Sequence, residues 1–295
     1  MFEQRPREEA LKAPKFAYFR AQTLGDVFDV LVRHGDEAKL LAGGQSLVPA
    51  LNMRLLEPRI IVDINHISGL AGIVEHGSGL RIGALTRLSE IGASPLVARL
   101  APLFAQAVPF IAHLAIRNRG TIGGSLAQAD PAAELPACAL AVDAVLHLAS
   151  ARGLRAVAAR DFFTGLYATA LAPDEVITAI DVPAAPPETR SVFLELARRH
   201  GDYAIVGLAA RARFTGRQAH DLRMVFFGAD SKPVEARAAA VALRHSARVE
   251  RIGSAQDALA HDLHPSADLQ ADRATKLHLA RVLLARAVRA LSEAA

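Results

Sequence analysis

The sequence has one cysteine and no tryptophan, and the first of these scarcities already limits its chemistry. With Cys138 alone no intrachain disulfide can form, and an iron–sulfur cluster, which takes about four thiolates, cannot be built from this chain. No apolar run approaches the roughly 18 residues of a membrane span. The 34 Lys and Arg are interleaved with 30 Asp and Glu, and no basic run occurs, so a nucleic-acid partner is not indicated despite the formal charge of +4. The stretch MFEQRPREEALKAPK carries acids where a secretory signal would need an apolar segment, so the expectation is a cytoplasmic protein. His261 and His264, the closest histidine pair, would share a helix face but have no third ligand nearby, so no metal site is expected.

What is present is a chain of 295 residues, 52% hydrophobic, enough for a full core and for two units. Leu24, Val27, Phe28, Val30 and Leu31 recur at helical spacing behind Thr23, and Gly35 stops that helix. AKLLAGG reads as a buried strand running into a double glycine, SLVPALNMRL as a helix after Ser46, and RIIVDI as a second strand. A strand LRIGAL follows, then a helix capped by Thr86 over TRLSEIGAS and a longer helix over PLFAQAVPFIAH. A second double glycine, Gly123-Gly124, precedes a polar loop through Asp130-Pro131, a helix starting near Glu134 and a strand from Val142 to Leu148. PAAPPETR, between the strand-like EVITAIDVP and the rest, is expected to be the domain boundary. Beyond it, SVFLELARR, YAIVGLAARARF and DLRMVFFGA predict a three-stranded antiparallel meander, backed by helices over PVEARAAAVALRH and ATKLHLARVLLARAVRALSEA.

The two glycine turns are the candidate site. A glycine pair permits positive φ and lets another group lie against the peptide, and successive amides pointing one way make a nest for phosphate oxygens. Each turn is read as ending a strand, and Ser46, Thr121 and Ser125 add hydroxyls, so the two together suit a diphosphate gripped from both sides. Neither matches a Gly-x-Gly-x-x-Gly fingerprint or a P-loop, which argues against a Rossmann site and against a nucleoside triphosphatase.

LLAGGQSLVPALNMRL with IIVDI, RNRGTIGGSLAQADPAAELPA, RRHGDYAIVGLAARA and FFGADSKPVEAR resemble, in order, the flavin-binding subunit of the molybdenum hydroxylases, the xanthine dehydrogenase and carbon monoxide dehydrogenase group. The resemblance implies an α+β fold. A two-lobed FAD-binding domain of the vanillyl-alcohol-oxidase (PCMH) type would span residues 1–185, with lobes of about 1–64 and 65–185. A carboxy-terminal domain would span 186–295. It further implies that Ala42, Gly43, Gly44, Gln45, Ser46 and Leu47, with Thr121, Ile122, Gly123, Gly124 and Ser125, bind the FAD pyrophosphate. Glu134 stands where the family has a carboxylate on the ribityl hydroxyls, although an acid there also suits a helix start. Asp130 is either a ribityl or adenosine contact or a turn former, and Tyr203 either stacks near the isoalloxazine or is a half-buried strand tyrosine. Arg198 and Arg199 either bring positive charge to the flavin or are solvated strand-end charges.

No base and nucleophile pair adjoins the turns, so the function expected from the resemblance is electron relay. The chain would be the FAD-carrying subunit of a heteromeric molybdenum hydroxylase, with FAD held non-covalently. Two iron–sulfur clusters would lie on a small subunit and the molybdenum cofactor on a large one. The single cysteine agrees with that division, and Cys138 itself reads as core. A stand-alone FAD oxidase is the alternative enzyme, and a nucleotide-binding scaffold the non-enzyme one.

Overall fold

A computed structural model describes residues 13–215, 218–243 and 251–293. Most of the amino-terminal stretch, and Arg244 and His245 of one expected helix, lie outside them. The chain opens with β1 (Ala17–Arg20), α1 (Leu24–His34), β2 (Ala38–Leu41), α2 (Leu47–Asn52) and β3 (Ile60–Asp63). The strands form a parallel sheet in the order β1-β3-β2, as strand–helix–strand crossovers require. Thr23 caps α1 as expected: its Oγ1 accepts from Asp26 N at 3.1 Å, and Asp26 Oδ2 accepts from Thr23 N at 2.9 Å. Such a reciprocal cap contributes about 1 kcal/mol. Gly35 ends the helix at φ +50°.

The second unit contains β4 (Ile73–His76), β5 (Gly79–Gly83), α3 (Leu88–Ala93), α4 (Pro95–Leu100), α5 (Pro102–Ala107), α6 (Leu114–Arg117), α7 (Ile122–Gln128) and α8 (Glu134–Ala141). It continues through β6 (Val145–Ser150), β7 (Gly153–Ala158), α9 (Ala159–Phe162), β8 (Phe163–Gly165), β9 (Ala168–Thr169) and β10 (Val176–Pro183). Its five-stranded sheet is antiparallel in the order β4-β5-β10-β6-β7, while β8 and β9 pair separately. Helix α8 is buried on every side, including Cys138 and Glu134.

Several expectations for this unit are corrected. Thr86 does not cap a helix: it is buried, and its hydroxyl exchanges hydrogen bonds with Gly72, while Glu90 accepts from Arg87 N at the start of α3. PLFAQAVPFIAH is not one long helix, because Pro109 follows α5 and the chain tightens into a 3-10 turn over Val108–Phe110. The strand expected from Val142 begins at Val145, since α8 runs to Ala141 and Asp143 turns the chain at φ +56°.

After the proline-rich segment come β11 (Thr189–Ala197), β12 (Ala204–Thr215), β13 (Gln218–Phe227), β14 (Val234–Glu235), α10 (Arg237–Ala242), α11 (Ile252–Asp262) and α12 (Arg273–Glu293). The three expected strands are present, and two-residue β14 adds a fourth to the antiparallel order β11-β12-β13-β14. Helix α11 was not anticipated. It ends at Asp262, so His261 and His264 do not share a helix.

Alternation along the strands divides this sheet between two cores. Leu208, Ala210, Met224 and Phe226 pack under α11 and α12, whereas Phe193, Ala209, Val225 and Phe227 join the core of the second unit. Polar ties reinforce that seam: Arg223 meets Asp143 at 2.6 Å, Gly228 N donates to Pro131 O at 2.7 Å, and buried Lys276 donates to Gly228 O at 3.0 Å.

The first and second units meet backbone to backbone. A Cβ on Gly43 would lie 2.5 Å from Arg119 O and 2.8 Å from Gly120 Cα, so only glycine allows this approach. Arg87 donates to Arg119 O and to Asn65 Oδ1, and Asn65 Nδ2 donates to Ala42 O at 2.8 Å, so one guanidinium links both loops. Gly43→Ala is expected to cost about 1–3 kcal/mol in urea unfolding, as overpacking does. Gly253→Ala, with open space at its Cβ, serves as the control and should lose nothing. Equal stability of the two variants would show that the loops do not abut.

Candidate flavin site at the meeting of two loops and a domain seam

The first turn leaves β2 and enters α2. Gly44 has φ +73°, and a Cβ there would press on Leu41 and Val48 at 3.1 and 3.3 Å. Carbonyls of Gly44 and Ser46 are taken by Val48 N and Ala50 N, and Gln45 Nε2 folds back onto Gly43 O at 2.9 Å. The amides of Gly43, Gly44, Gln45 and Ser46, by contrast, have no acceptor among the described residues. Four successive unspent donors on a partly exposed turn form an open nest for an anion.

The second glycine pair is built differently, and the expectation that it ends a strand is corrected. Thr121 is the N-cap of α7, its Oγ1 accepting from Gly124 N at 3.1 Å, so Gly123 and Gly124 lie in the helix's first turn. Ile122 N donates to Thr86 O and Gly123 N to Ala84 O, which ties the helix start to the end of β5 and spends two of its amides. Gly123 serves that packing, because its Cβ would sit 2.6 Å from Ala84 Cβ. At Gly124 the only neighbour within 4 Å is Thr121 Oγ1, so this glycine borders open space beside the part-exposed Ser125. The first turn therefore offers free amides, and the second offers a smooth surface and a hydroxyl. The Gly43 contact holds them side by side.

A group of acids and phenols gathers at the seam. Asp130 accepts from Ala132 N at 2.9 Å, the turn-forming role, and also from Tyr167 Oη at 3.2 Å. Glu134, first residue of α8, is 8% exposed, and burial followed by the charge of Asp130 pushes its carboxyl up to about 7. Glu195 on β11 is pushed up to about 8 by burial and by the charge of Glu134, and its Oε2 is buried without a partner. Tyr203 and Tyr167 are both more than half exposed, and burial of their hydroxyls plus the charge of Asp130 raises both phenols, Tyr167 to about 12. Tyr203 thus lies in the loop before β12 as an exposed ring, not as a half-buried strand tyrosine. Arg198 turns away, donating to Leu269 O at 3.2 Å.

Tyr167 and Glu195 escaped the sequence reading. A signal existed for Glu195, the one acid in β11, whose same-face neighbours are Phe193 and Ala197.

Raised carboxyls carry a stability consequence with a definite sign. Between the unfolded value of 4.5 and the folded values of about 7 and 8, the native state binds more protons than the unfolded chain, so stability falls as pH rises. The thermal midpoint of the ligand-free chain should therefore drop from about pH 5 to about pH 8, and Glu195→Gln should flatten the drop. Parallel curves for the two proteins would place Glu195 in water.

The chain matches two family models in succession: the FAD-binding domain in molybdopterin dehydrogenase over residues 14–185, and the CO dehydrogenase flavoprotein C-terminal domain over residues 191–291. It is 36% identical to the carbon monoxide dehydrogenase medium chain of Hydrogenophaga pseudoflava, over 94% of this chain and 97% of that one. Over 200 residues, 68% of each chain, it is 43% identical to the 6-hydroxypseudooxynicotine dehydrogenase complex subunit alpha of Paenarthrobacter nicotinovorans. Its fold superimposes with a TM-score of 0.92 and 37% identity on a chain of the Hydrogenophaga pseudoflava carbon monoxide dehydrogenase lacking the Mo-pyranopterin moiety, covering 96% of this chain and 98% of that one. With both domains present and in order, the chain belongs to the FAD-binding medium-chain family of the molybdopterin dehydrogenases.

Proposed function

We propose that the chain is the FAD-carrying electron-relay subunit of a cytoplasmic, heteromeric molybdenum hydroxylase. It would pass electrons from iron–sulfur clusters on a small partner subunit to an external acceptor, while substrate is hydroxylated at a molybdenum cofactor on a large one. Residues 1–185 form the cofactor domain and 186–295 the domain that closes over it. The observation that carries this reading is the run of unspent amides from Gly43 to Ser46, held against the Thr121–Ser125 loop by the glycine contact. That donor set suits a diphosphate, because the turn presents N–H groups and a hydroxyl and no carboxylate.

In this reading Ala42 to Leu47 and Thr121 to Ser125 bind the diphosphate, and Asp130 and Glu134 face the ribityl chain. Tyr203, exposed at the seam, covers one face of the ring. FAD supplies two-electron redox chemistry with one-electron steps, which lets it stand between clusters and an acceptor. The protein's part is to bind, orient and shield. Among the described residues no cluster of metal-ligating side chains occurs, and no helix is long and apolar enough to cross a membrane.

The purified chain should be yellow, bleach with dithionite, and stay oxidised with organic substrates until iron–sulfur and molybdenum chains are added. Gly44→Val should lose most bound FAD, since a β-branched residue resists positive φ and crowds Leu41 and Val48. Tyr203→Ala should keep FAD with an altered visible spectrum, because ring stacking contributes only about 1 kcal/mol. Substrate oxidation by the metal-free chain alone would replace the relay with a stand-alone oxidase.

A further inference from the structure

The feature the relay reading does not use is Glu195. Along β11, Val192, Leu194 and Leu196 pack toward α12, so Phe193, Glu195 and Ala197 face the seam. Opposite Glu195 on β12 is Gly207, covered by the Phe227 ring, which stacks on Phe193 at 5.6 Å. A carboxyl is thus set among aromatic rings with its Oε2 buried and unpartnered, and it feels the charge of Glu134 at the start of α8.

Among the described residues no Lys or Arg is shown paired with Glu195. Glu134, Asp130, Asp202 and the phenols of Tyr167 and Tyr203 make up the cluster, and the His200 ring is stacked on Phe110. Helix α5, packed on β11, has no titratable residue, and β12 presents Gly207. Arg198 is turned to Leu269 O and Arg199 is exposed beyond the strand end, while Arg117 is spent on the carbonyls of Ile111 and Ala112. Arg211 and Arg213 lie opposite Ser191 and Thr189 at the far end of β11, beside Asp143 and Asp221. Arg223 on β13 is held by Asp143, Lys232 donates to Phe163 O, and Lys276 on α12 is bound to Gly228 O and Asp268. A carboxyl with a buried, unpartnered oxygen that also feels the charge of a second carboxyl favours its protonated form, and the two titrate as a pair.

We propose that Glu195 and Glu134 form a redox-linked proton site, which takes up a proton when the bound flavin is reduced. The proposal rests on the relay function above. Electrons from an iron–sulfur centre arrive without protons, so each transfer adds negative charge to a site of low dielectric constant. That charge favours the neutral form of a nearby carboxylate, and the linkage is reciprocal. In the step, the cluster on the partner chain is oxidised and the flavin reduced. Water supplies a proton, and the bond formed is an O–H on the carboxyl pair. When the acceptor removes the electrons, the proton returns to water.

The test is spectroelectrochemistry of the FAD-loaded chain across pH, with dithionite-poised mediators and no partner needed. Over the pH range in which the pair ionises in the oxidised protein, the reduction equilibrium should gain an extra tenfold dependence per pH unit. For a two-electron couple this is about 30 mV per pH unit. Glu195→Gln, which copies the protonated shape, should keep FAD and lose the extra slope. Should that variant not fold, the wild-type reduced-minus-oxidised infrared spectrum decides. A protonated-carboxyl C=O band, shifted in D2O, should appear on reduction at pH 8, and its absence would overturn the proposal. Identical slopes in wild type and Glu195→Gln, both loaded with flavin, would also overturn it. A chain that never takes up flavin would instead sink the relay reading itself.

Discussion

The structure depends on one contact in which a missing side chain matters more than a present one. Gly43 lets the first turn rest on the backbone of Arg119 and Gly120, with the space for a Cβ already filled by a carbonyl oxygen. Backbone meets backbone at this point, and Arg87 ties the two lobes further through Asn65 and Arg119 O. The consequence is positional. The unspent amides of 43–46, after β2, and the open side of Gly124, in the first turn of α7, end up on neighbouring surfaces, although Gly44 and Gly124 are 80 residues apart in the chain. The first turn brings its unspent amides and the second a hydroxyl and an open surface, with no lysine at either.

The second constraint is the face of the carboxy-terminal sheet. It is apolar on both sides, as a sheet between two layers must be, and the side toward the cofactor domain also carries the acid Glu195. Phe193 meets Phe110 in a tilted contact and stacks on Phe227 through the seam, with centroids 5.2 and 5.6 Å apart. Glu195 lies on the same face of β11 as Phe193, and the charge of Glu134 is felt there. The same packing leaves Tyr203 exposed at the rim, where an aromatic ring can cover a ligand without first breaking into a core.

Much of this was legible in the sequence where the signal is local. Thr23, Asp26 and Gly35 delimit α1, and the β-branched and aromatic runs of β11, β12 and β13 stand out between turns. The parts that were not legible depend on partners far along the chain. Gly123-Gly124 reads as a turn because glycine is a poor helix former, yet Thr121 caps the segment and the carbonyls of Ala84 and Thr86 anchor it, so it begins a helix. Thr86 has every local feature of a cap and is instead buried against Gly72. The charged partners of Tyr167 and Glu195 lie across a turn and a domain seam, so their composition could flag them but not place them.

The placement of charge changes how the flavin environment is understood. From sequence, Arg198 is a candidate for bringing positive charge to the flavin; its guanidinium donates to the Leu269 carbonyl, and the groups with raised values at the seam are acids and phenols. A cation would compensate each incoming electron without a proton, and reduction would then be nearly independent of pH. A cluster of acids cannot do this while ionised, because it opposes the charge that accumulates beside it. Compensation must then come from protons, and the buried Glu134 and part-buried Glu195, pushed up to about 7 and 8, are groups able to accept them near neutrality. For a relay fed by proton-free electrons, that arrangement ties the ease of reduction to the protons available, and the chain provides it with two glutamates on opposite sides of a domain boundary.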